Sequence, residues 1–71
     1  MTVEFHHDEQ HATGRIWTAW LGDKQLGEFH SGKQRSMNQG FYYTQAGELV
    51  RVERRLTAWK DQVRTEWEHE G

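Results

Sequence analysis

HHDEQH, His6 to His11, places three imidazoles and two carboxylates within six residues. His7 and His11 are four apart, the spacing of the helical HExxH zinc motif, in which both imidazoles share a helix face and a glutamate acts as general base. Asp8 stands where that glutamate belongs, and its shorter side chain reaches less far. The flanks TVEF and ATG extend no helical periodicity, and a strand-loop-strand setting would not put His7 and His11 on one face. His7 and His11 are therefore weak metal candidates within a polar connection, and no cofactor is expected.

Two further patterns are near misses. Gly27 to Gln34, GEFHSGKQ, follows the phosphate-loop pattern as far as its lysine but has Gln34 where a Ser or Thr would ligate magnesium. That loop also needs a helix after it, and residues 33 to 40 carry no helical signal. Ser31 and Ser36 lack a nucleophile-elbow context. Asp8 with Glu9, and Glu66 with Glu68 and Glu70, sit in polar stretches where nothing would tune a carboxyl for acid-base work. The expectation is a protein that is not an enzyme.

The elements that must position these residues follow from composition and periodicity. A chain of 71 residues with no cysteine and no proline reads as one small domain without disulfides or cysteine-bound zinc. Its core must come from large side chains, chiefly Trp17, Trp20, Trp59, Trp67, Phe5, Phe29, Phe41, Tyr42 and Tyr43. Alternation predicts strands over about 2–6, 15–21 and 25–30, with 41–44 as a fourth candidate. Gly22 and Asp23 supply a hairpin turn, and 31–40 reads as a loop. Leu49, Val52, Leu56, Trp59 and Val63 step by three and four, which predicts one helix over about 47–69. An apolar sheet face and an apolar helix stripe require each other, so the predicted fold is α+β: an antiparallel sheet of three or four strands packed by one long C-terminal helix.

The two signs of charge are mixed and the net charge is −2, which argues against a general nucleic-acid binder. The opening MTVE does not begin a secretory signal, and no apolar run approaches a membrane span. The chain is expected to be cytoplasmic, in the host cell if phage-encoded.

In strand 15–21 the side chains of Trp17 and Trp20 point to opposite faces, and the helix covers one face only. One tryptophan is therefore expected outside as a partner-binding anchor, since Trp, Tyr and Arg dominate interface energetics. Arg15, Tyr42 or Tyr43, and the loop residues Lys33 and Arg35 would surround it. Gly14 to Ser31, GRIWTAWLGDKQLGEFHS, resembles the hairpin of the three-stranded-sheet DNA-binding domains of plant transcription factors and phage-integrase arms. The match covers about a quarter of the chain. It implies nucleic-acid binding through the outer sheet face. Those domains start a helix directly after the third strand, whereas SGKQRSMNQG intervenes here, and the outer face lacks a matching set of basic residues.

The function expected is stoichiometric contact with a protein partner by a monomer or homodimer. Small motif-free chains of this type occur among phage and mobile-element accessory proteins, including inhibitors of host complexes such as CRISPR effectors. The alternative is a nucleic-acid-binding module using the outer sheet face and the basic 31–40 loop.

Overall fold

The computed structural model of the chain describes residues 2–8, 15–31, 38–53 and 55–68. Among the described residues five strands are followed by one helix: β1 (Glu4–Asp8), β2 (Arg15–Leu21), β3 (Lys24–Ser31), β4 (Gln39–Tyr43), β5 (Leu49–Val52) and α1 (Leu56–Trp67). All neighbouring strands pair antiparallel in chain order, giving an α+β meander with β1 and β5 at its edges.

The expected three or four strands are thus five, and the expected helix over 47–69 is shorter. Leu49 and Val52 belong to β5, and the helix begins at Leu56. Their spacing fits a helix stripe, but Val50 and Val52 also alternate, and branched side chains favour the pleated state. The turn before β5 decides the matter. Gly47 adopts φ +87°, its N–H donates to the Thr44 carbonyl at 2.9 Å, and the Thr44 N–H donates to the Glu48 carbonyl at 2.8 Å. This three-residue loop folds 49–52 back onto β4 as a strand. The predicted loop over 31–40 also contracts, because Ser31 ends β3 and Gln39 begins β4. Residues 32–37 lie outside the described residues.

Gly22, at φ +64°, turns β2 into β3. The pairing shifts between Ala19 and Trp20, where Gln25 pairs Trp20 but Gly27 pairs Ala19. The extra residue, Leu26, is bulged onto the same face as Phe29, and both are fully buried. A strand without that bulge would put residues three apart on opposite faces.

On the covered face two rows cross the sheet: Phe5–Ala19–Gly27–Tyr42–Val50 and His7–Trp17–Phe29–Gly40–Val52. In the second row Gly40 leaves room for the helix. A Cβ at Gly40 would collide with the rings of Phe29 and Trp59, and one at Gly27 with the backbone of Phe41 and Tyr42. Trp59 fills the space, with its ring 5.5 Å from Phe5 and 5.6 Å from Phe29, and its indole N–H donates to the Phe41 carbonyl at 3.0 Å. Trp59 and Val63 are fully buried.

The helix is weakly specified locally. Arg55 at its N-cap is extended and makes no side-chain cap, and no acid occupies the first turn. Tertiary contacts hold it instead. Trp67 donates to the Tyr43 carbonyl at 2.7 Å, just beyond the end of the β3–β4 ladder at Gly27–Tyr42. Gln45 bonds Glu66 through both its backbone N–H, at 3.0 Å, and its side-chain amide, at 2.6 Å. The Val3 N–H donates to the Glu68 carboxylate at 3.1 Å. No helix among the described residues is long and apolar enough to cross a membrane.

Candidate functional site

The strand alternation sends the second set of side chains to a face that the helix leaves open. Across it run His6–Thr18–Glu28–Phe41–Arg51, with Glu4–Trp20–Gln25 and Tyr43–Leu49 on one side and Ile16–His30–Gln39 on the other. Tyr43 and Leu49 keep 46% and 49% of their surface exposed, the largest exposures of bulky apolar residues among the described ones.

Local contacts preset the polar groups of this face. The Trp20 indole N–H donates to Thr18 Oγ1 at 2.9 Å, and its ring meets His6 edge-on at 6.2 Å. His6 Nε2 lies 3.6 Å from a Glu4 carboxylate oxygen. Glu28 is held by His30 Nε2 at 3.1 Å and by the Gln25 amide at 3.1 Å. The His30 bond pulls the Glu28 carboxyl below the usual carboxylate value, against partial burial, with Gln25 and the charge of His30 adding to the effect. Phe41 and Tyr43 pack edge-to-face at 5.9 Å. They and Leu49 line a hollow of about 460 Å³, together with His30, Gln39, Gly40, Arg51 and Glu53.

The two tryptophans of β2 separate as expected, and it is Trp20 that stands on the open face. Trp17 lies on the covered side, stacked on His7 at 4.3 Å and under the Lys60 ammonium at 4.0 Å. Tyr42 is likewise on the covered face, with 8% of its surface exposed and its hydroxyl donating to Gln62 at 3.3 Å. Trp17 and Tyr42 thus belong to the helix interface, and Trp20 and Tyr43 to the open face. Arg15 heads β2 opposite Ser31, with its side chain outside the described set. Lys33 and Arg35 lie outside the described residues, as does His11. Within HHDEQH, β1 sends His6 to the open face and His7 to the covered one. No group of three potential metal-ligating side chains occurs among the described residues.

Sequence reasoning missed Phe41, Leu49 and Arg51 as residues of the open sheet face. Leu49 and Arg51 were assigned to a helix, and only their strand conformation puts them beside Tyr43 and Phe41. The alternation of 49–52 was the one signal that could have found them. No protein-family model, curated protein or solved structure matches the chain.

Proposed function

We propose that this chain is a non-catalytic binding protein that contacts a protein partner stoichiometrically through the open face of its sheet. The observation that carries this reading is the set Trp20, Phe41, Tyr43 and Leu49 on a face that no element among the described residues covers. Large rings held by local contacts lose little conformational freedom on binding and supply most of the energy at protein interfaces.

Charge favours protein over nucleic acid. Among the described side chains, Arg51 is the basic residue of this face with a fixed charge, against the carboxylates of Glu4, Glu28 and Glu53. Phosphate contacts need the opposite balance. Where the partner is a working complex, such as a CRISPR effector, contact of this kind inhibits by covering its functional surface.

The test is a pull-down from lysate of the source cells, with and without nuclease, repeated with single variants. A partner retained after nuclease, lost with Trp20→Ala or Tyr43→Ala and kept with Trp17→Ala, supports the reading. Capture that vanishes with nuclease and weakens steeply with salt would replace it with the nucleic-acid alternative.

A further inference from the structure

We propose that β5 accepts an extended segment of a partner protein as an additional antiparallel strand, with an acidic side chain opposite Arg51 and an apolar one opposite Leu49. This extends the open-face reading from the face to its edge.

The phase of the β4–β5 hairpin sets which backbone groups are available. The Thr44 N–H bond to the Glu48 carbonyl marks Thr44–Glu48 as a hydrogen-bonded pair. Such pairs alternate along an antiparallel ladder, so Tyr42–Val50 and Gly40–Val52 are the next two. Leu49 and Arg51 then direct their N–H and C=O groups away from β4. No strand among the described residues lies beyond them. An edge of this kind is a template for strand addition unless something blunts it.

The two edges of the sheet differ in that respect. At β1, Lys60 and Arg64 lie over the Phe5 ring at 5.3 Å and 5.1 Å, and Glu68 ties down Val3 at 3.1 Å. At β5, Leu49 is 49% exposed and adjoins Tyr43.

Arg51 identifies the occupant. Among the described residues no carboxylate lies within ion-pair distance of it. A second copy sets its Glu53 opposite Arg51 only with Val52 facing Val52, a register in which β5 pairs over that one residue and Leu49 has no strand residue opposite it. In the registers that centre the two strands, the outward-facing residues put Arg51 opposite either Leu49 or Arg51 of the other copy, and the second arrangement sets like charges together. An unrelated strand reading acid, any residue, apolar satisfies both positions.

The probe is the peptide acetyl-Thr-Glu-Thr-Val-Thr-amide added to the full chain, read by amide solvent exchange in NMR. Exchange at Leu49 and Arg51 should slow by about tenfold with peptide at ten times its Kd. Leu49→Pro should abolish the effect with the helix circular-dichroism signal retained, because that N–H makes no bond within the sheet. Arg51→Glu should reverse the preference, toward the peptide with Lys in place of Glu. Unchanged exchange at saturating peptide, or perturbation confined to other residues, would overturn the proposal. So would slowing that follows protein concentration without peptide, which would make the occupant a second copy. Trp20→Ala alters the open face on β2 and should leave the peptide effect at Leu49 and Arg51 unchanged, so failure at the edge and failure of open-face binding are read separately.

Discussion

The covered and open faces of this sheet are built from the same kinds of residue, put to different use. On the covered face the indole N–H groups of Trp59 and Trp67 donate to strand carbonyls, which binds the helix to the sheet. On the open face the Trp20 N–H donates to Thr18 two residues away in its own strand. One pattern joins two layers, and the other holds a ring in place while leaving its surface available. An aromatic residue here is structural when its polar end crosses between layers and presentational when that end is satisfied locally.

Four substitutions would sharpen or break that contrast. Trp59→Ala should have the largest effect, a loss of about 3–5 kcal/mol in denaturant unfolding, because it empties the space between Phe5, Phe29 and Gly40. Gly40→Ala should cost about 1–3 kcal/mol by forcing Trp59 and Phe29 apart. Trp17→Ala, which removes the stack with His7 and the contact with Lys60, should cost about 2 kcal/mol. Trp20→Ala should cost about 1 kcal/mol or less in stability. The same change should weaken partner binding by about 2 kcal/mol, roughly thirtyfold in Kd. If Trp20→Ala destabilised the fold as much as Trp17→Ala, the two faces would not differ in the way described.

The smallest effects distinguish the faces by pH. Glu28, on the open face, has a folded-state pKa below its ordinary 4.5 because of its bond with His30. Its stabilising contribution is present above that ordinary value and is lost as pH falls through the folded one. Tyr42, on the covered face, is pushed above its ordinary 10.0 by burial, with the nearby Glu66 charge adding. Its contribution is present below the ordinary value and is lost as pH rises toward the folded one. Glu28→Gln should therefore flatten the acid limb of stability against pH, and Tyr42→Phe the alkaline limb, as followed by chemical denaturation across pH.

Much of the fold was legible in sequence order. Strand 15–21 was expected with its observed bounds, and the stripe Leu56, Trp59, Val63 and Trp67 does form the C-terminal helix. The hairpin at Gly22 and Asp23 was equally readable, because turn chemistry is local. What misled was the segment 49–52, whose few residues match a helical stripe and a strand equally well. The candidate site suffered with it. Tyr43 and the outward tryptophan were anticipated, but Leu49 and Arg51 reached the open face only once β5 existed.

By itself, then, the sequence determined the local alternations, the turns and the need to bury a few large rings in a small chain with no cysteine to form disulfides. Tertiary structure decided which tryptophan faces outward and where the helix begins. It also set the Leu26 bulge and the outward phase of Leu49 and Arg51. Each of these depends on a partner distant in the chain: the bulge on the shifted pairing of β2 with β3, β5 on the edge of β4, and the covered face on where Trp59 finds Gly40. Periodicity reports which residues share a face, but only packing selects the face that is covered.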